Sequence, residues 1–329
     1  TRETGEPPVL GDSGVRPGAM TELAERIRSG DARALARAAT LVENRNPRAD
    51  ALLTELFPHT GSATIVGVTG TPGAGKSTLV DQMTAAWRRD GKTVGVIAVD
   101  PTSPYTGGAL LGDRIRMQRH HADPGVFIRS MATRGAMGGL ARATTDMAVL
   151  FDAAGLDVVL VETVGVGQDE VEVARLADVT VVVLTPGLGD DVQAIKAGIM
   201  EIADIFAINK ADLPGAAKLE REIRNHLSMS KRDDCWTPPV QLTVAHEGGG
   251  IGELLAAVAA YAQGRARKAQ SGVLWRGRLR EMLRDRLLER MPAAELDRAA
   301  EEVAERRRDP YTVVEEMLGR IFEKESGAS

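Results

Sequence analysis

The chain has 329 residues, 43% hydrophobic and 26% charged, enough to bury a sizeable core and to carry appended helices. A net charge of -5 supplies no global attraction to nucleic acid or anionic lipid, so neither is expected as a partner. Cys235 is the sole cysteine, which excludes an intrachain disulfide and any paired-cysteine zinc site and fits a reduced, cytoplasmic compartment; no apolar run approaches the roughly 18 residues that a membrane span requires.

Residues 1–19 are rich in Gly and Pro, lack an apolar period and read as a disordered leader. From Met20 to residue 60 apolar and charged positions alternate at helical spacing, with a break at Gly30-Asp31 where Asp31 can cap a second helix, so a helical N-terminal arm is expected. ATIVGVTG then opens a series of buried-strand runs: TVGVIAVD, GVFIRSM, DVVLVET, VTVVVLT, DIFAINK and PVQLTVA. These alternate with helical segments such as STLVDQMTAAWRRD and LARATTDMAVLFDAAG. The alternation predicts an α/β domain over residues 61–264, a mostly parallel sheet flanked by helices, with ligands at the carboxyl ends of the strands. Residues 265–329 read as charged amphipathic helices with no strand. Leu279, Met282, Leu283, Leu287 and Leu288 form one stripe there, expected to pack on the domain or on a second subunit.

VTGTPGAGKST lies between the first strand and the next helix and fits G-x-x-x-x-G-K-[ST]. Its residues Gly70, Thr71, Pro72, Gly73, Ala74, Gly75, Lys76, Ser77 and Thr78 are the expected phosphate cradle. Backbone N–H groups and the helix N-terminus face the phosphates, Lys76 reaches the β and γ groups, and the Ser77 hydroxyl can ligate Mg²⁺. AINKAD selects guanine: Asp212 can accept from N1–H and the 2-amino group, Asn209 can bond the other edge of the base, and the Lys210 stem can lie over the ring. Adenine offers no such donors, so GTP and GDP are the expected ligands.

Asp100 at the end of the second strand is a candidate Mg²⁺ ligand, direct or through water, or else a turn-capping carboxylate. Asp113 is a secondary candidate, equally suited to a solvated helix start. Glu162, closing DVVLVET, can hold Mg²⁺ through water or orient the attacking water, while the Gly165 N–H can report the γ-phosphate. Gln168 is a lesser candidate for positioning that water. In LTPGLGDDVQAIKAG, Gln193 and Lys196 project from nearly one face. Lys196 can deliver positive charge to the transition state in cis; alternatively this is an ordinary strand-to-helix connection with a solvated start. The scattered His59, His226 and His246 read as solvated or locally bonded, and Trp87, Trp236 and Trp275 as packing anchors.

The ordered set GTPGAGKST, VDPTSP, TGGALLGDRIRM, ETVGVGQDE and NKAD resembles the MeaB/ArgK family of P-loop GTPases, which includes the human methylmalonic aciduria type A protein. The resemblance runs from about Met20 into the C-terminal helices. It implies a homodimeric G-protein chaperone of an adenosylcobalamin-dependent acyl-CoA mutase, chiefly methylmalonyl-CoA mutase, with the C-terminal helices as the dimer interface. It further implies that Asp190, Gln193 and Lys196 form a third switch coupling the mutase to hydrolysis, and that Glu162 belongs to a loop sensing γ-phosphate. The chain departs from the family pattern in VDPTSPYTGGALLGDRIRM, and in TVAHEGGGI it lacks a Ser-Ala pair, with Thr243, Val244 and Ala245 as the positional match. Two other functions compete. A GTPase delivering a metal ion needs clustered Cys or His, and His120-His121 is the only adjacent pair. An ATP-driven transport partner or kinase is opposed by the guanine-selecting NKAD.

Overall fold

The computed structural model describes residues 19–100, 117–120, 122–132, 139–163, 168–187, 199–229, 236–264 and 267–326. The chain divides into two compact units, Thr1–Arg267 and Lys268–Ser329. The first begins with three helices, α1 (Ala19–Arg28), α2 (Ala32–Glu43) and α3 (Pro47–Leu56). Asp31 caps α2 by accepting from the Arg33 and Ala34 N–H groups at 2.9 and 3.1 Å, and Arg26 grips the same carboxylate. The sequence pattern separates two helices; the third arises because Arg45 turns to φ 50 and Asn46 caps the next helix, with Pro47 at its first position.

The sheet consists of β1 (Thr64–Gly70), β2 (Val94–Asp100), β3 (Val126–Ala132), β4 (Val158–Glu162), β5 (Val179–Leu184), β6 (Ile205–Ile208) and β7 (Val240–Leu242). All pairings are parallel, in the order β3-β2-β4-β1-β5-β6-β7. Between the strands lie α4 (Lys76–Arg89), α5 (Gly139–Ala153), α6 (Gln168–Leu176), α7 (Ile199–Ile202) and α8 (Ala216–Met229), and α9 (Ile251–Gly264) follows the last strand. Every residue of β4 and β5 is buried, which is why these strands read as continuous apolar runs rather than alternating ones. Each such Val or Leu contributes about 1.5–3 kcal/mol by leaving water. Trp87 and Tyr261 fill the face of the sheet beneath α4 and α9.

Carboxylates lock the amino ends of the strands. Asp157 accepts from the Thr93 N–H at 2.7 Å, Asp178 from Ile65 at 2.9 Å, and Asp204 from Thr180 at 2.9 Å. Asp152 takes the N–H groups of Gly61, Ser62 and Ala63 at the entry to β1. The Thr93 N–H holds the Asp157 carboxyl below its usual range, so it is ionised at neutral pH. These bonds satisfy strand-end donors that the ladder leaves over and set the register of one strand against the next. The opposite, carboxyl edge is thereby left to loops and ligands.

In the second unit, α10 (Arg267–Glu289) is followed by α11 (Ala293–Ala304) and α12 (Pro310–Ser326). Ala299, Val313 and Met317 form its small core, with Met291 and Val303 packed against them. Leu279, Leu283 and Leu288 are exposed on α10. Leu283, Leu287, Leu288, Leu296 and Val314 line an open apolar cleft of ≈ 490 Å³. Among the described residues no helix is long and apolar enough to cross a membrane.

Candidate functional site

Five strands deliver their carboxyl ends to one edge: β1 runs into the glycine loop, β2 ends at Asp100, β4 at Glu162, β5 at Leu184, and β6 leads into Asn209. The loop turn is built on glycines that no other residue can replace without displacement. Gly70 has φ 136, and a Cβ there would lie 2.0 Å from the Val183 carbonyl oxygen. Gly75 has φ 85, and its Cβ would fall 2.5 Å from the Asn209 amide nitrogen. Pro72 and Gly73 are exposed at the tip, Ala74 is buried beneath it, and Thr78 faces outward from the first turn of α4. Lys76 is 6% exposed and donates to the carbonyls of Gly70 at 2.9 Å and Thr71 at 3.0 Å. Its ammonium thus lies inside the loop, where phosphate charge would gather.

Beside it, the Ser77 hydroxyl donates to Glu162 Oε1 at 2.6 Å. Glu162 is 5% exposed, so this carboxylate is held at the base of the loop rather than in solvent. A buried Thr69–Thr163 hydroxyl pair, 2.9 Å apart, joins the ends of β1 and β4 directly below. A hydroxyl and a carboxylate side by side are hard oxygen donors. They suit Mg²⁺, which keeps several waters and takes the rest of its shell from one or two protein oxygens and phosphate. Asp100 closes β2 on the same edge. Asp113, Gly165, Asp190, Gln193 and Lys196 lie outside the described residues.

The loop after β6 is joined physically to the glycine loop. Asn209, buried at 2% exposure, donates through Nδ2 to the Ala74 carbonyl at 2.8 Å. Its Oδ1 accepts from the Ala245 N–H at 3.1 Å and the Thr243 hydroxyl at 3.3 Å. Lys210, at φ 55, extends its stem across the gap and donates to Gly73 O at 2.8 Å. Thr243 and Ala245 therefore meet Asn209 here, with Val244 between them in the chain, a contact that spacing alone does not reveal; Asn209 is a strut between two loops, with one amide hydrogen beyond its Ala74 bond. Asp212 stands exposed two residues beyond Lys210, with the turn held by the Ala211 N–H on Thr243 O at 3.0 Å.

A family profile described as methylmalonyl Co-A mutase-associated GTPase MeaB matches residues 35–296. The chain belongs to the MeaB family. A Pyrococcus abyssi protein named as a GTPase is 49% identical to this MeaB-family chain over 322 residues, 92% of this chain and 97% of its own. The GTPase ArgK of Escherichia coli is 42% identical over 254 residues, 74% of this chain and 76% of its own. A Caenorhabditis briggsae protein named methylmalonic aciduria type A homolog, mitochondrial, is 37% identical over 240 residues, 67% of this chain and 58% of its own. A crystal structure titled LAO/AO transport system kinase superimposes with a TM-score of 0.68 at 32% identity, covering 94% of this chain and 99% of that one. The family's hydrolysis of GTP thus attaches to this MeaB-family P-loop.

Two features of this MeaB-family site escape motif reasoning. One is the Asn209 strut, which joins positions 135 apart in the chain. The other is His120, counted in sequence only as half of an adjacent pair, which is buried against Asp81 on α4. Arg and His directly before an Ala-Asp-Pro turn are the only local hint, and they do not name a partner.

Proposed function

We propose that this GTPase is a chaperone that gates cofactor loading into, and protects, an adenosylcobalamin-dependent acyl-CoA mutase such as methylmalonyl-CoA mutase. The observation that carries the reading is the match to a mutase-associated GTPase family over residues 35–296, most of the chain. The name of the worm relative supports the same partner. Bound Mg²⁺, held by Ser77 and Glu162 with Asp100 nearby, would neutralise phosphate charge. Lys76 contributes positive charge at the β and γ groups, and backbone N–H groups from Gly73 to Ser77 orient the chain of phosphates. Asp212 reads the guanine, while Lys210 covers the ring and ties it to the loop tip. The competing transport-kinase reading requires ATP, which the acceptor chemistry of Asp212 does not favour.

In this scheme Asp190, Gln193 and Lys196 form the segment through which the mutase accelerates hydrolysis. Lys196→Ala is expected to leave intrinsic turnover within about twofold and to remove most of the acceleration produced by purified mutase. GTP turnover with and without methylmalonyl-CoA mutase measures both quantities, and equal stimulation of variant and parent refutes the coupling role. A wild type that methylmalonyl-CoA mutase neither binds nor stimulates removes that partner.

The exposed leucines of the C-terminal unit support a homodimer built on α10 to α12. An apolar cleft of ≈ 490 Å³ left open to water is costly, and a two-fold interface would cover it with the same surface of a second copy. Sedimentation at micromolar concentration is expected to give a dimer, and Leu283→Asp with Leu288→Asp a monomer. A monomeric wild type refutes it.

A further inference from the structure

The helix that carries the phosphate-binding Lys76 also carries a polar stripe: Ser77, Asp81, Thr84 and Arg88 recur at the spacing that places residues on one face. Ser77 occupies the end of the stripe at the site, bonded to Glu162. Thr84 turns back onto the Val80 carbonyl of the same helix, while Asp81 and Arg88 are gripped by the segment that follows Met117. The Asp81 carboxylate accepts from Arg119 Nε at 2.9 Å and lies 2.6 Å from Arg119 Nη2, and His120 Nε2 stands 3.0 Å from it. The Asp81 carbonyl accepts a further bond from Arg119 Nη2 at 2.8 Å and stands 3.3 Å from His120 Nε2. Two turns along, Arg88 holds Asp123 through two bonds of 2.8 Å. Met117, 2% exposed, enters the same core cluster as Leu79, Val80 and Met83 of α4.

The two clamps differ in a way that tethering alone does not require. Arg88 and Asp123 are partly exposed, at 22% and 28%, and lie at the far end of α4. The guanidinium holds the Asp123 carboxyl below its usual range, so the pair is ionised and complete at neutral pH. It suffices to attach the segment. The Asp81 and His120 side chains are instead 13% and 6% exposed, with Arg119 reaching Asp81 from the more open side, and Asp81 lies one helical turn, about 6 Å along the axis, from Ser77. Burying a carboxylate there carries a desolvation cost that an outer tether avoids. What it adds is geometry: side chain and main chain of one residue are held together, so the turn of α4 next to Ser77 and the turn 117–120 move as one piece.

We propose that Asp81, acting through Arg119 and His120, is a positioning residue for GTP hydrolysis, holding the turn of α4 beside Ser77 against the turn 117–120. It rests on the family's GTPase activity and is independent of which mutase is served. A misplacement of about 1 Å in such a site costs up to about 10² in rate while nucleotide contacts survive.

The test compares Asp81→Asn with Asp123→Asn in the full chain. Asp81→Asn is expected to lower kcat about tenfold or more and to raise the Mg²⁺ concentration for half-maximal turnover, with GDP affinity held within about threefold. Asp123→Asn is expected to lower the thermal midpoint and leave kcat within about twofold. His120→Gln, which keeps an amide donor, is expected to retain kcat that His120→Leu loses. The proposal is overturned if Asp81→Asn keeps the parent's kcat and Mg²⁺ dependence, or if both aspartate variants lose kcat alike. Should Asp81→Asn fail to fold, the His120 pair decides, and equal turnover of His120→Gln and His120→Leu overturns it.

Discussion

Lys76→Ala is expected to reduce GTP turnover by on the order of 10³ while the domain remains folded. The magnitude follows from where the ammonium sits. Lys76 is 6% exposed, so its charge is poorly screened and would act on bound phosphates at short range. Two opposite charges about 4 Å apart interact by about 4 kcal/mol at an effective dielectric constant of about 20, close to three decades of rate if that interaction is realised in the transition state. A second effect must be separated from this one. The side chain also bonds the Gly70 and Thr71 carbonyls, and its removal leaves these acceptors to find water. Unmade buried bonds of that kind cost about 1–3 kcal/mol each, less where water can enter. Thermal unfolding with and without GDP distinguishes the two. The parent gains about 2.7 kcal/mol at a ligand concentration of 100 times Kd, and the variant is expected to lose most of that gain at the same concentration. Turnover near that of the parent, or an undiminished GDP-induced shift, rules out the phosphate role of Lys76.

The sheet and the two nucleotide loops are legible in the sequence because their causes are local. VVLVE and VTVVVL are apolar throughout because both faces of the sheet are covered, and the glycine loop needs its glycines within six residues of each other. Asn209 and Asp212 follow β6 directly, so their place at the carboxyl edge follows from the strand alone. The bonds between residues far apart in the chain are of another kind. Asn209 to Ala74, Asp81 to Arg119 and Asp152 to Gly61 connect residues 135, 38 and 91 positions apart. Each is satisfied by folding rather than by spacing, and an Asp or an Asn reads the same in sequence whether it caps, pairs or meets solvent. The third helix of the arm was hidden for a related reason: Arg45 at φ 50 is a conformation that its residue type does not advertise.

Asp212→Asn is expected to exchange the nucleotide preference from GTP to XTP. On the proposed reading the carboxylate would accept from guanine N1–H and from the 2-amino group; an asparagine offers an amide donor that opposes the amino group and suits the 2-oxo group of xanthine. Sites that read such groups discriminate by on the order of 10⁴, which bounds the swing. Two structural facts adjust that figure. Asp212 is exposed, so water competes for its bonds and the realised swing falls below the bound. The turn that presents it is nonetheless held from both sides, by the Ala211 N–H on Thr243 O and by Lys210 on Gly73 O. Neither bond involves the Asp212 side chain, so the substitution changes the hydrogen-bond pattern without releasing the loop. ATP binds poorly to both forms, because adenine presents neither the paired donors nor the 2-oxo acceptor. Affinities for GTP, XTP and ATP, measured for parent and variant in the same buffer, decide the matter. If the variant keeps the parent's affinity for GTP, Asp212 does not read the base; loss of GTP with gain of XTP and unchanged weak ATP binding assigns the guanine contact to this carboxylate.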